Sequence, residues 1–331
     1  MSKDAVLRLL LQETGYVSGE KMSRALGLSR AAVWKHISAL REAGYEIEAK
    51  TNRGYRLLAL PDTPCPEAIR PLLAGETLFS GEIHYLDQVD STNSQLKRLA
   101  EAGAPHGTAV IAGEQTGGRG RMGRGFVSLA NKGLFFSLLL RPGEWGAQSL
   151  TKITAFSAVA VSEAIFAVSG IAPQIKWVND LLVEDKKLCG ILTEMAVVGE
   201  MGQVAYIVIG AGINVHYQPA DFPPAIRDRA TSLSMLTDRP LSRAKLAAAL
   251  MVSFARMYRE GMEQPETYAA RYRALSATVG RDILVLRQGE SRPAHALGID
   301  SDCGLLVRYP DGREETLAYG EISIRGVGGY I

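Results

Sequence analysis

The residues best suited to handling charge lie together at 116–126, TGGRGRMGRGF, where five glycines alternate with Arg119, Arg121 and Arg124. Glycine lets backbone amides approach a ligand closely, and each guanidinium offers a planar fork of donors matched to carboxylate or phosphate. The segment is no Walker loop, since G-x-x-x-x-G-K-[ST] has no match in it. Taken alone, it suits an anion-wrapping loop, a solvated basic turn or an RGG-like nucleic-acid segment. Other polar groups interrupt runs that should be core. Lys176, Asn179, Asp180 and Lys187 lie within QIKWVNDLLVEDKKLCGILTEM, and Asn214 ends the apolar run AYIVIGAGINV. Asn179 and Asp180 either cap a bend or face a ligand. Asp90, Ser91, Thr92 and Asn93 crowd the first turn of a helix, a pattern that suits capping or the binding of a small polar group.

The elements that must hold these groups are legible as alternating and periodic runs. Residues 108–113 and 133–140 read as strands on either side of the loop, with Gln115 at its entrance and Phe126 at its exit. GEIHYLDQV is an alternating strand ahead of the helix DSTNSQLKRLAEAG. Helices are expected near 149–168 and 242–260, with helical character continuing to about Leu275. Residues 174–195 read as strand, turn and strand. The tail, with turns at QGE, DSDCG and PDG, has the short evenly spaced strands of a small SH3-type barrel.

Ahead of this body lies a basic end. Residues 1–60 hold ten Lys/Arg against six Asp/Glu, whereas the remainder holds 27 against 29. Three short helices are expected there, with Ser18 and Ser29 as N-caps and Gly27 in the turn between the second and third. From Gly19 through Ser38 this is a helix-turn-helix pattern, with Arg30, Lys35 and Arg41 as its DNA-facing cations. The hairpin YEIEAKTNRGYRLLAL adds a wing. Four prolines in PDTPCPEAIRP place a boundary after it. The division expected is therefore 1–60, 61–275 and 276–331.

The hydrophobic fraction of 47% and charged fraction of 22% are those of a globular protein. Cys65, Cys189 and Cys303 lack ligand spacing and read as free thiols. No apolar run reads as a membrane span and no signal peptide is recognised, so a cytoplasmic protein without a membrane partner is expected.

DSTNS, GGRGRMGRGF, KWVNDL, KKLCGIL and IVIGAGINV, in this order between a winged helix and a small barrel, resemble the biotin–protein ligases, in the bifunctional form that also represses biotin genes. The resemblance implies an α+β multidomain protein, whose central mixed sheet with flanking helices is of the kind shared with class II aminoacyl-tRNA synthetases. It implies ATP and Mg²⁺, biotin as substrate, and biotinyl-5′-AMP as intermediate and corepressor. The implied partners are a biotin carboxyl carrier protein, operator DNA and a second copy of the chain.

By the same resemblance, Ser91, Thr92, Asn93, Gln115, Arg119, Gly120, Arg121 and Lys187 bind biotin, with Arg119, Arg121 and Lys187 catalytic. Arg121, Arg124, Lys176, Asn179, Asp180 and Asn214 bind ATP, Asp180 being also a magnesium contact, and Phe126 is a lid. Val178 stands where the family most often has proline, which implies a looser bend before Asn179. A biotin-sensing transcription factor with weak catalysis and a lipoate ligase are the competing readings.

Overall fold

The computed structural model describes residues 2–326 apart from 74, 77–78, 80, 142–149, 199–202, 288–289 and 319–321. Three helices open the chain: α1 (Ser2–Gln12), α2 (Gly19–Leu26) and α3 (Arg30–Glu42). The hydroxyls of Ser18 and Ser29 accept from the amides of Lys21 and Ala32, so both expected N-caps form. Val6, Leu7, Leu10, Met22, Val33, Ile37 and Leu40 build a separate core beneath the antiparallel wing of β1 (Glu46–Lys50) and β2 (Gly54–Ala59).

The linker that follows is held to the body. The carboxylate of Asp62 accepts from the backbone and the Nε of Arg243, at 3.0 and 2.6 Å, and lies 3.0 Å from Nε2 of His216. Arg243 itself is only 2% exposed. A short helix, α4 (Pro66–Ile69), leads into the central unit.

That unit is a seven-stranded mixed sheet in the order β3-β4-β5-β9-β8-β7-β6. Its strands are β3 (Ile83–Val89), β4 (Ala109–Gln115), β5 (Gly133–Leu140), β6 (Gln174–Lys176), β7 (Asp180–Val183), β8 (Lys186–Val198) and β9 (Gln203–Asn214). The β3/β4 pair is parallel, joined by α5 (Thr92–Glu101), and the other pairs are antiparallel. Because side chains alternate along a strand, Val110, Leu139 and Val208 meet Leu96 and Ala100 of α5 on one face. Ile111, Phe136, Leu138, Ile207 and Ile209 join the main core on the other, together with α6 (Leu150–Ser169), α7 (Arg243–Glu263) and α8 (Pro265–Ala274).

β10 (Asp282–Arg287), β11 (Glu290–Ile299), β12 (Leu305–Arg308), β13 (Glu314–Leu317) and β14 (Ile322–Gly326) complete the chain as an antiparallel sheet in the order β13-β12-β11-β10-β14. This has the strand content expected for the small C-terminal unit. Its buried residues, among them Ile283, Val285 and Leu305, continue the main core, and Trp177 Nε1 donates to the Cys303 carbonyl at 3.0 Å.

Three expectations need correction. Residues 174–198 contain three strands, because the chain turns at Trp177–Asn179 before β7 begins. Lys152–Ser169 of α6 is long and apolar enough to cross a membrane by length and composition, but it lies mostly buried against α7, α8 and the sheet. The bend at Val178 is fastened rather than loose. Its side chain is fully buried, Tyr272 Oη donates to its carbonyl at 3.2 Å, and the amide of Ile191 donates to the Asn179 carbonyl at 2.9 Å. The Trp177–Val178 peptide is cis.

Candidate active site

The glycine–arginine segment folds as a narrow hairpin. Phe126 N donates to Gly118 O at 2.9 Å and Gly120 N to Arg124 O at 2.7 Å, and Met122 and Gly123 form the tip, both at positive φ. The hairpin leans on the C-terminal sheet. Arg121 donates to the Ile322 carbonyl at 2.7 Å and lies 3.4 Å from Asn179 Oδ1, while Arg124 reaches Ser323 Oγ at 3.4 Å. Arg119 and Arg124 are largely exposed and Arg121 is half-buried.

Beneath the hairpin lies a cavity of about 340 Å³ lined by every residue named above for ligand binding, from Ser91 to Asn214, including Gly120 and Phe126. The strand ends of β4, β6, β7, β8 and β9, the start of α5 and the face of β14 all converge on it. Its floor is made flat by glycines in β8 and β9. A Cβ on Gly212 would stand 2.7 Å from the Phe126 ring, so the ring rests directly on the backbone there.

One end of the cavity is neutral and polar. Ser91 occupies the N-cap of α5 without making a side-chain cap, so capping does not account for this polar cluster. Asp90 is the structural member. Its carboxylate accepts from the Ser91 amide and from Arg98, and the Arg98 bonds hold its pKa down to about 2. Gln115 Oε1 accepts from the amide and the hydroxyl of Thr92, at 2.9 and 3.1 Å, and its Nε2 donates to Ser128 Oγ at 3.0 Å. Asn93 donates to the Leu192 carbonyl and to Glu194, at 3.2 and 2.8 Å, which bolts α5 to β8.

The other end is cationic. Lys187 and Asp180 pair at 2.7 Å, with the Lys187 ammonium 5.9 Å from the Phe126 ring centre. Lys176 is 5% exposed, and its pKa falls to about 8. Burial is the main cause; Lys187, Arg124 and Arg325 add to it and Asp180 opposes it. Asn179 Nδ2 donates to the Ile191 carbonyl at 2.7 Å, and Asn214, buried, donates to the Thr231 carbonyl at 2.9 Å. Asp180 is the single carboxylate among the described lining residues.

The sequence reading did not name Trp177, the floor glycines Gly190, Gly210 and Gly212, the Phe222, Ile226 and Arg229 segment, or Arg325, all of which line the cavity. Arg325 alone had a usable signal, since ISIRG alternates and sets Ser323 and Arg325 on one face of β14.

In the amino-terminal unit, Arg30 and Lys35 are exposed on α3 beside Trp34, itself 61% exposed. Arg41 differs from expectation in what it touches: its Nε and a terminal nitrogen both donate to the Ile47 carbonyl, at 3.0 and 2.7 Å, fixing the wing to α3.

Residues 85–214 match the Biotin/lipoate A/B protein ligase family and residues 3–56 match an HTH domain. The bifunctional ligase/repressor BirA of Bacillus subtilis (strain 168) is 39% identical, over 90% of this chain and 90% of its own length. The chain belongs to the bifunctional biotin ligase/repressor family. BirA of Escherichia coli (strain K12) is 31% identical over 96% of this chain and 95% of its own. Among solved structures, the biotin protein ligase from Aquifex aeolicus in complex with biotin and ATP superposes with a TM-score of 0.63 at 28% identity, covering 74% of this chain and 99% of that one. The cavity thus has one neutral, hydrogen-bonding end and one cationic end.

Proposed function

We propose that this chain activates biotin with ATP and transfers it to a lysine of a biotin carboxyl carrier protein, and that the adenylated intermediate makes it a repressor of biotin genes. In the first step, a biotin carboxylate oxygen attacks the α-phosphorus of ATP and pyrophosphate leaves. In the second, the carrier lysine's amine attacks the acyl carbon and AMP leaves. Carboxylate and triphosphate repel each other, so fixed positive charge aimed at the reacting oxygens is the main requirement. The observation that carries this reading is the convergence of Arg119, Arg121, Arg124, Lys176 and Lys187 on one cavity that also holds the polar cluster of Ser91, Thr92 and Gln115.

In this reading the ureido ring occupies the polar end, between Ser91, Thr92 and Gln115, with Asn93 holding α5 in place behind them. Arg119, Gly120 and Arg121 close over the carboxylate and α-phosphate, Lys187 contacts the reacting oxygens, and Phe126 shields the acyl phosphate from water. Asn214 and Asn179 flank the nucleotide. The donor set suits a Mg²⁺ carried in by the phosphates: one carboxylate, Asp180, already paired with Lys187, accords with an ion that keeps most of its bonds to substrate and water. Bound there, Mg²⁺ would supply further charge neutralisation for the phosphates.

The winged helix, with Arg30 and Lys35 outward, reads operator DNA as a homodimer strengthened by biotinyl-5′-AMP. The test is incubation with biotin, Mg-ATP and a purified carrier domain. Biotin-dependent pyrophosphate release and a biotinylated carrier are expected, and failure of both would refute the ligase reading. Operator affinity unaltered by the adenylate would refute the repressor reading.

A further inference from the structure

The winged helix is carried on the body by a very short connection. Leu60 still packs in the core of the amino-terminal unit and Asp62 is already clamped to the catalytic unit, so Pro61 alone separates the two. Pro61 is fixed from both sides. A Cβ on Gly44, which follows the end of α3, would stand 3.3 Å from the Pro61 Cβ, and the Pro61 carbonyl accepts from Ser242 Oγ at 3.0 Å. The pyrrolidine ring removes one of the two backbone rotations at this residue.

The socket that receives Asp62 is equally firm. Arg243 donates deeper into the body, to Asn131 Oδ1 at 3.2 Å and to the Gly133 carbonyl at 3.4 Å, and Gly133 pairs with Asn214 across β5 and β9. His216, whose Nε2 faces Asp62, has its amide bonded to the Lys132 carbonyl at 2.7 Å. Two further ties join the units: Tyr45 Oη donates to the Glu67 carbonyl at 3.4 Å, and α1 packs on Arg70–Leu72. Of these ties the Asp62 clamp is the strongest, because a carboxylate bonded to a guanidinium is charge-assisted.

We propose that Asp62 is a positioning residue that sets the angle at which each winged helix is carried, so that a dimer accepts one spacing of operator half-sites. This rests on the repressor reading and deepens it. In a two-fold complex the separation of the two α3 helices depends on the subunit contact and on how each winged unit is mounted. A firm mount presents both helices already spaced, so the second half-site binds without further ordering. One base pair inserted between the half-sites turns one of them by about 35° and moves it by about 3.4 Å. A firm mount cannot follow that displacement, whereas a loose one can.

The probe is the inverted repeat that the full chain with biotinyl-5′-AMP selects from randomised duplexes, with versions one base pair longer or shorter at its centre and a duplex holding one half-site. Dissociation constants are compared for the full chain, Asp62→Ala and Pro61→Gly, all with biotinyl-5′-AMP. In the unaltered chain a change of one base pair is expected to weaken binding about 30-fold; in Asp62→Ala it weakens binding about threefold, and affinity at the selected spacing falls about tenfold. Half-site affinity and biotin-dependent pyrophosphate release should stay within about twofold, because neither uses the mount. Pro61→Gly frees the linker without exposing Arg243 and is expected to lie between the two. Damage to the winged helix itself would weaken half-site and two-fold binding alike with the spacing preference unchanged, and that pattern overturns the positioning role. So does an undiminished spacing preference in Asp62→Ala, or in Pro61→Gly should Asp62→Ala not fold. If the unaltered chain selects no inverted repeat, the repressor reading falls and this inference with it.

Discussion

Replacing Lys176 by methionine separates what this lysine costs the fold from what it gives the site. The side chain is 5% exposed and its pKa is brought from 10.5 to about 8, chiefly by burial, with Lys187, Arg124 and Arg325 adding repulsion. At about 1.4 kcal/mol per pH unit, holding it charged at neutral pH disfavours the folded state by about 3 kcal/mol. The sign follows from proton counts. Between pH 8 and 10.5 the unfolded chain keeps a proton that the folded chain has released, so stability rises with pH across that window and the penalty is fully present below it. Lys176→Met removes the penalty, and at pH 7 the protein without nucleotide should unfold at a higher temperature, by several degrees. The gain should shrink as the pH rises from 8 toward 10.5. ATP binding should respond in the opposite sense. A triphosphate favours the charged lysine, so the KM for ATP in the unaltered chain should rise above pH 8, while in Lys176→Met it should be high throughout and lack that inflection. Thermal denaturation and KM for ATP, each from pH 6.5 to 9.5, check both arms. A Lys176→Met protein no more stable than its parent at pH 7, with an ATP profile of unaltered shape, would refute the reasoning.

Arg121→Ala should slow adenylate formation by about 10²–10³-fold, measured as pyrophosphate release, because it removes one fixed donor aimed at developing charge; the melting temperature should fall only a few degrees with the lost Ile322 and Asn179 contacts. Gly212→Ala should displace the Phe126 ring, which a Cβ would approach to 2.7 Å, and should lower kcat up to about 10²-fold while letting the adenylate hydrolyse faster, read by chromatography of single-turnover mixtures. Asp62→Ala leaves the buried Arg243 without its carboxylate and should cost about 3 kcal/mol in denaturant unfolding. Burial pushes the Asp62 pKa up, but hydrogen bonds from His216 and Arg243 prevail and hold it below 3.8, so the contribution is present above that pH and is lost as the pH falls below it.

Local order was legible because it is set by neighbours in the chain. Ser18 and Ser29 cap the helices that follow them, and the apolar runs flanking the hairpin are β4 and β5. The residue types of the site were legible as well, since a lysine or asparagine within a core run stands out. What each one touches was not. Arg41, named for DNA, bonds the wing, and Asn93, named for ligand, bolts α5 to a strand about a hundred residues away. Such partners depend on strand order, which periodicity does not encode. The same holds for Arg325, which reaches the cavity only because β14 pairs with β10 beside it.

The partners of the hairpin arginines bear on how the loop can work. Arg121 and Arg124 donate to a carbonyl, an amide oxygen and a hydroxyl of β14 and the bend before β7. Exchanging such a partner for a carboxylate or phosphate oxygen turns an ordinary hydrogen bond into a charge-assisted one, about twice as strong. The exchange does not require the segment to fold, because the hairpin already has its own backbone bonds at Gly118–Phe126 and Gly120–Arg124. Each backbone bond the hairpin holds before an anion arrives lowers the ordering entropy that binding must offset, and leaves more of the new binding energy to hold two like-charged substrates together. A loop unstructured until binding would lose part of that energy to its own ordering, and five glycines would make that loss large.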